Sequence, residues 1–533
     1  MRIKYHIASL VLIIFTQEIS SYNILISHPF YAGSHVLTLH KVAESLIERG
    51  HRVTTLRFAD SHGFNFKELG ANHTDIQLTI NNTDGQLALI SREDGRFVTP
   101  NGFFWDYGLD WKGLFLSPDN AISLSKAYCR TLLTNTSLLS RLTEENFDLA
   151  IIDILNNQAG LVLTHHLKIP SKVAFWAFSF VSGECEFCQV SLPSSYIPVF
   201  LTEYTHEMNL FQRIVNFAYK HFLWGSFSFL FYNLMDQYIQ ELLPESRLHS
   251  LDMIAQLNGV IINSDDVLDY PRLRGSTVLN VGGLQISKVI PPLSHDLANW
   301  MNEAKDGVIL ISLGFVFGFE GVPEDRIQTI IQSFAHLKQR VIFKFDAEIK
   351  NLPSNVMILP FVPQQSILSH PNMVLFFTHC GMHGVMEAIY FGVPMVGLPI
   401  FVDQGDVCSK VEYRGIGKRV SKTSSSSEIQ NTVKEVLNDP KYRANIDRSS
   451  KIFRLRRTHP MDDVMWLTEY LIQTNGSAHH LPQGQKLNFI VYHSLDVLCI
   501  FILCITISIK FLINTISSKN GIRNQTNSKL KKQ

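Results

Sequence analysis

The stretch FFTHCGMHGVMEAIYFGVPMVGLPIFVDQ, residues 376–404, runs from an apolar segment through a glycine-broken helix opening into a second apolar segment. Apolar runs of strand length alternating with helical segments indicate a parallel sheet covered on both faces. Within it His379 and His383 stand four apart, which raises three readings: a metal site, a phosphate cradle, or the punctuation of a buried αβ unit. Chelation by an i, i+4 pair needs both rings on one helix. The helix here begins only after Gly381, and Glu387 completes no HExxH arrangement, so no metal is assigned.

Working outward, the same alternation extends through GVILISLG (307–314), a helix over 324–338, RVIFKF, VMILPF, VLFFTH and PMVGLPI. An earlier series opens with YNILIS, a loop, and a helix in which Val36, Leu39, Val42, Ala43, Leu46 and Ile47 recur at helical spacing until Gly50. RVTTLRF closes that βαβ unit, and FDLAIID (147–153), KVAFWAF (172–178) and GVIINS (259–264) continue it. Between the two series, GGLQISKVIPPLSHD (282–296) has the paired Gly and paired Pro of a linker. The expected architecture is α/β, two Rossmann-like domains facing a cleft, over 22–283 and 297–488 with a linker at 284–296. The region 59–120 is too aperiodic to place. The aromatic stretch 217–232 reads either as a membrane-touching amphipathic helix or as a buried core helix.

A chain of 533 residues has room for about two to four domains. Lys+Arg and Asp+Glu both total 47, so no charge excess points to nucleic acid. Residues 1–21, with Arg2 and Lys4 before the apolar run Ile7 to Phe15, have a signal-peptide layout. Residues 489–513 are long and apolar enough to span a bilayer. The tail 514–533 is basic, as is Lys510 before it, and no acidic residue follows Val497, so the expected topology is type I with a lumenal body. Lys529 and Lys531 form either a dilysine retention tail of the endoplasmic reticulum or a basic patch for anionic lipid. Sequons at Asn72, Asn81, Asn135 and Asn475 would be lumenal and open to glycosylation, whereas Asn524 would be cytosolic. The seven cysteines do not make a disulfide scaffold. The CEFC pair, Cys185 and Cys188, reads as incidental thiols or a local bridge rather than zinc ligands.

In open parallel sheets ligands bind beyond the carboxyl ends of the strands. There, Gly381 and Gly384 would let backbone approach a phosphate at a helix N-terminus, with His379 as an added donor. Glu387 could accept both hydroxyls of a ribose. Asp403 and Gln404 supply a carboxylate and an amide for a polyol, while Phe361 and Gln364 offer a stacking face and a base-edge partner. In the first half, His35 at a loop–helix junction and Asp153 at a strand end lie on one rim. A histidine oriented by a carboxylate suits general-base work on a hydroxyl.

The chain resembles the UDP-glycosyltransferases of the UDP-glucuronosyltransferase type nearly end to end. The resemblance rests on Gly33 to His35 with ERGH, FDLAIID, PSSYIP (193–198), NVGGL, ISLG, YHSLDV (492–497) and the long FVPQQSILSHP to FVDQ signature. It implies a GT-B fold and an inverting, metal-independent transfer from a UDP-sugar, used as co-substrate without a cofactor, to a hydroxyl of a small lipophilic acceptor. Glucuronic acid is the expected sugar. UDP-glucose and a catalytically weak binding or modulating relative are the alternatives. By the resemblance His35 is the base and Asp153 its orienter. Phe361 and Gln364 take the uracil, His379 the diphosphate, Glu387 the ribose, and Asp403 with Gln404 the sugar, while Gly314, Gly381, His383 and Gly384 complete the donor site. With the type I topology and the dilysine-like tail, the expected setting is the endoplasmic reticulum membrane, and homo- and hetero-oligomers are both left open. Three positions depart from the family's pattern: Cys380 replaces a Gly, His383 an Asn, and Phe315 a small residue.

Overall fold

The computed structural model describes residues 21–28, 33–58, 68–79, 105, 118–154, 157–179, 190–244, 249–314, 322–347, 349, 351–400, 403–481, 484, 487, 489–492 and 494–530. Residues 1–20 of the signal-peptide reading over 1–21, Asn81, CEFC and Phe315 lie outside the described residues, as does most of 59–120.

The first sheet contains β1 (Asn23–Ser27), β2 (Arg52–Phe58), β3 (His73–Leu78), β4 (Leu149–Asp153), β5 (Ser171–Trp176), β6 (Gly259–Ile262) and β7 (Val278–Asn280). All pairs are parallel, in the order β3-β2-β1-β4-β5-β6-β7. Its centre is apolar on both faces: Ile24, Leu25 and Ile26 of β1 and Leu149, Ala150, Ile151 and Ile152 of β4 are fully buried. Each large aliphatic chain withdrawn from water in this way contributes about 1.5–3 kcal/mol. The pairing of Ile24 with Leu149 and Ser27 with Ile152 puts the carboxyl ends of β1 and β4 side by side.

The second sheet contains β8 (Val308–Ser312), β9 (Arg340–Lys344), β10 (Val356–Leu359), β11 (Met373–Thr378), β12 (Met395–Gly397) and β13 (Gly417–Arg419). It too is all parallel, in the order β10-β9-β8-β11-β12-β13. In both sheets the order reverses once, between β1 and β4 and between β8 and β11. At such a reversal the two connections leave toward opposite faces and open a crevice beyond the strand ends.

The strands are shorter than the apolar runs that signal them, because the last apolar residues of several runs fold into the loops beyond. The helix expected over 324–338 stops at Phe334. β3, β7 and β13 carry no clear sequence signal. The stretch expected as one helix over 217–232 is part of a longer rod: a helix Leu210–Ala218, a π turn Tyr219–Trp224 and a helix Gly225–Leu242.

After the second sheet the chain returns to the first. The helix Pro460–Gln473 buries Leu467 and Leu471, and both lie against Gly259, where a Cβ would sit 3.1 Å from Leu471 Cδ1. Ser171 Oγ donates to the Leu471 carbonyl at 3.2 Å, and Arg49 pairs with Glu469 at 2.9 Å. This return strap makes residues up to His480 one compact unit, with Leu481–Gln533 a second. In that second unit Leu495–Thr515, mean hydropathy 2.5, is long and apolar enough to cross a membrane.

Candidate active site

His35 lies in the first turn of the helix Gly33–Glu48 that follows β1, and Asp153 is the last residue of β4. The sheet reversal between these strands brings them together: His35 Nδ1 is 2.5 Å from Asp153 Oδ2, and both side chains are buried. A carboxylate on Nδ1 fixes the ring with Nε2 as its basic atom. Phe178 packs beside the imidazole, ring centroids 5.8 Å apart, a neighbour no sequence pattern indicated.

The second sheet builds the facing half. His379 follows β11, and its ring fits a slot between two glycines. A Cβ on Gly314 would lie 2.6 Å from the ring, and one on Gly381 2.3 Å. Gly314 also has φ +89°, which only glycine adopts readily. Burial, with Lys344 nearby, lowers the His379 pKa to about 4 against the opposing Ser312 backbone, so the ring is neutral at pH 7. Beside it the helix Met382–Phe391 starts at Gly381, and its first-turn N–H groups have no intrahelical acceptor. Gly384 serves a second purpose, close packing on β11, since a Cβ there would meet Phe376 at 3.3 Å.

His383 is not beside His379 in a chelating pair. Its Nε2 reaches across to the first half, 2.7 Å from Thr38 Oγ1 and 3.0 Å from Asn263 Nδ2. The Asn263 carbonyl oxygen accepts from Gly283 N, which turns its amide NH2 toward the imidazole and assigns the ring proton to Nδ1. Burial, with His35, His379 and Lys41 close by, lowers the His383 pKa to about 3.

Glu387, buried one turn further on, uses both oxygens. Gln364 donates to Oε2 at 2.7 Å and Gln365 to Oε1 at 2.9 Å. Burial raises its pKa, and these amides act against that rise. Gln365 was not foreseen, nor was Gln285, whose carbonyl accepts from Gln365 and Lys41 and whose amide reaches the His383 carbonyl at 3.0 Å. The linker is therefore wired to both halves. Phe361 projects outward, 72% exposed, as a flat face at the rim.

Asp403 and Gln404 open the helix Gln404–Tyr413. Gln404 Oε1 accepts from Ile400 N at 2.9 Å, which sets the direction of its amide. Burial raises the Asp403 pKa to about 6, opposed by Lys410 and by His35 across the cleft. Lys410 is itself held by Asp269 and Ser179, both at 2.9 Å.

Cys380 is disulfide-bonded to Cys408, a pairing that the sequence did not indicate, and among the described residues Cys129, Cys499 and Cys504 are free. Cys380 has φ +64°, the left-handed conformation for which a glycine is the ordinary choice. The bridge lies over Gly397, where a Cβ would fall 2.2 Å from both sulfurs.

The sequence model of the family described as "UDP-glucoronosyl and UDP-glucosyl transferase" matches residues 24–531. The chain is 29% identical over 486 residues to UDP-glucuronosyltransferase 2B16 of Oryctolagus cuniculus, covering 89% of this chain and 90% of that one. It is 30% identical over 390 residues to UDP-glucuronosyltransferase 1A4 of Homo sapiens, covering 72% and 71%. Among solved structures, a UDP-glucosyltransferase from Polygonum tinctorium superposes with TM-score 0.57 at 17% identity, covering 86% of this chain and 99% of that one. The spinosyn forosaminyltransferase SpnP does so with TM-score 0.58 at 17% identity, covering 85% and 100%. The shared fold is GT-B.

Proposed function

From the premise that this chain belongs to the UDP-glucuronosyl and UDP-glucosyl transferase family and is a UDP-glycosyltransferase, we propose that it transfers a hexosyl group, with inversion, to a hydroxyl of a small lipophilic acceptor, using His35 as general base. The 2.5 Å contact of His35 with Asp153 at the sheet reversal carries this reading. Asp153 holds Nδ1–H, so Nε2 takes the acceptor proton as its oxygen attacks the anomeric carbon from the face opposite UDP. The bond from that carbon to the phosphate oxygen breaks, and UDP leaves with the electron pair. Its growing charge meets the N-terminus of the helix Met382–Phe391 and the His379 ring. In this reading Glu387, held by Gln364 and Gln365, would take the ribose, Phe361 with Gln364 the uracil, and Asp403 with Gln404 the sugar hydroxyls.

Glucuronic acid is the proposed sugar, following the names of the relatives. One observation favours glucose as a second reading: the cations described around Asp403 are already engaged, Lys410 with Asp269 and Ser179, and Arg272 with Asp269. A sugar carboxylate arriving there would compete with Asp269 for its partners.

The proposed setting is the endoplasmic reticulum membrane, type I, with the body in the lumen. The apolar helix Leu495–Thr515 supports the anchor, and a disulfide in the body suits an oxidising compartment. Asn72 and Asn475 are exposed and open to glycans.

Membranes containing the full chain, given UDP-glucuronic acid or UDP-glucose and a phenolic acceptor, test the reading by product chromatography. A β-glycoside from one donor supports it and names the sugar. No transfer from either, with UDP still bound, overturns turnover while leaving the donor site standing.

A further inference from the structure

Beside Asp403 the two halves share a small cavity of about 30 Å³. That is room for about two waters, too little for a sugar ring but enough for the two oxygens of one carboxylate. Asp269, Tyr270 and Arg272 line it from the first half, and Asp403, Asp406 and Lys410 from the second. The halves are pinned together at its wall, where Asp406, on the helix Gln404–Tyr413, accepts from Leu201 N at 2.7 Å and from Glu203 N at 2.8 Å.

Asp269 is the hub of the charges around this cavity. It is buried in the loop after β6, and its Oδ1 meets Lys410 Nζ, Arg272 Nη2 and Tyr270 N, each at 2.9 Å. Ser264 Oγ donates to the other oxygen, Oδ2, at 3.2 Å. Burial alone would raise its pKa, but Arg272 and Lys410 hold it well below the usual carboxylate range, so it is ionised. A buried ion pair of this kind is costly to desolvate and is often no more stabilising than an apolar filling, so stability does not by itself account for it. With Asp403 and Asp406 the cavity carries three carboxylates against two cations. Tyr270 adds a buried hydroxyl with no hydrogen-bond partner among the described residues, a group that a guest in the cavity would satisfy.

We infer that Asp269 is a resident carboxylate standing where an acidic sugar's own carboxylate would be read, and that it sets how far the site favours neutral over acidic UDP-sugars. This rests on the proposed function, in which Asp403 and Gln404 take the donor's sugar. Lys410 follows Asp403 by two turns along one helix, and both line the same cavity. A neutral hydroxymethyl group enters there without disturbing the pairs of Asp269. A uronate carboxylate must take Lys410 or Arg272 from Asp269, and it brings a further negative charge beside Asp403. Discrimination then comes from a repulsive element as much as from an attractive one. With Asp269 neutral, Lys410 and Arg272 become the cations that would bind the uronate.

The test uses the full chain in membranes and measures displacement of radiolabelled UDP by UDP-glucuronic acid and by UDP-glucose, beside transfer from each donor to a phenolic acceptor. In Asp269→Asn the affinity for UDP-glucuronic acid relative to UDP-glucose should rise about tenfold or more, because the amide keeps the shape and loses the charge. Lys410→Gln removes a cation instead and should lower that ratio about threefold or more. It decides the matter should Asp269→Asn fail to fold, with UDP binding attesting the fold in each variant. An unmoved ratio in a variant that binds UDP overturns the inference, as does equal weakening of both donors with a lower Tm, the mark of a merely structural ion pair. A shifted ratio without transfer from either donor upholds the inference and overturns turnover; transfer with an unmoved ratio does the reverse.

Discussion

Cys380 and Cys408 join the loop after β11 to the helix that begins at Gln404, with Gly397 of β12 beneath the bridge. The bridge therefore ties the segment carrying His379 to the segment carrying Asp403 and Gln404. Closing a chain separation of 28 residues restricts the unfolded state by about 3.5 kcal/mol on the chain-entropy account. Cys380→Ala/Cys408→Ala should lower Tm accordingly. Cys380→Gly/Cys408→Ala should recover about 1 kcal/mol of the loss, because φ +64° suits glycine and strains alanine. Equal melting of the two variants would remove the backbone argument.

His35→Ala and Asp153→Asn separate chemistry from binding. Loss of the base should lower kcat by about 10²–10⁴, and Asp153→Asn should act in the same direction by freeing the imidazole to take the wrong tautomer. UDP affinity, read by calorimetry, should stay within about twofold for both, since neither group belongs to the second sheet. A His35→Ala enzyme with unchanged kcat would mean that another group takes the acceptor proton.

Gly381→Ala tests the slot around His379 without a backbone complication, since Gly381 has φ −63° and alanine can adopt it. Its Cβ would lie 2.3 Å from His379 Nε2, so the ring must leave its place. Overpacking of this kind costs about 1–3 kcal/mol. UDP affinity should fall by about tenfold or more, with a modest drop in Tm. Gly314→Ala should be worse, as it adds an unfavourable φ to the same clash.

Acid should destabilise the body. His28 and His383 have pKa values near 3 and His379 near 4, all lowered chiefly by burial from 6.5. The folded chain thus refuses protons that the unfolded chain accepts below about pH 6.5, and stability falls as pH drops through that range. Asp403 and Asp406 have the opposite sign: burial raises them to about 6, so they take protons first in the folded state and gain stability as pH falls from 7 toward 4. Each imidazole should contribute a loss of about 2 kcal/mol by pH 5, more than each carboxyl returns. Tm should therefore decline between pH 6.5 and 5. A flat or rising profile would show that the three rings are not held neutral.

Sequence legibility follows how local each feature is. Buried parallel strands such as β1, β4, β8 and β11 announce themselves, because both faces must be apolar. β13, Gly-Lys-Arg, and β3, half exposed at the sheet edge, have no such requirement and gave no signal. The proposed donor-side residues stood out because glycines, a histidine and a carboxylate lie close together along one chain segment. The disulfide was not, since two cysteines 28 apart signal nothing until β12 passes between them. The role of His383 was equally hidden, for its partners Thr38 and Asn263 are distant in sequence and meet it only when the halves pack.

Thr38 and His383 join the helix Gly33–Glu48, which carries the proposed base, to the helix Met382–Phe391, proposed to meet the diphosphate, at 2.7 Å. Thr38 sits one turn after His35 on the helix Gly33–Glu48, so on the proposed mechanism the bond would fix the base relative to the donor half. Thr38→Val and His383→Ala should each lower kcat/KM, and the double variant should lose less than their sum. A coupling of about 0.5–1.5 kcal/mol is expected for a single hydrogen bond between neutral groups. Thr38→Val leaves the Asn263 bond to the ring intact, so it should change kcat more than UDP affinity. Strict additivity in the cycle would show that the halves are aligned by other contacts, with the Gln285 wiring of Lys41 to the His383 backbone the next to vary.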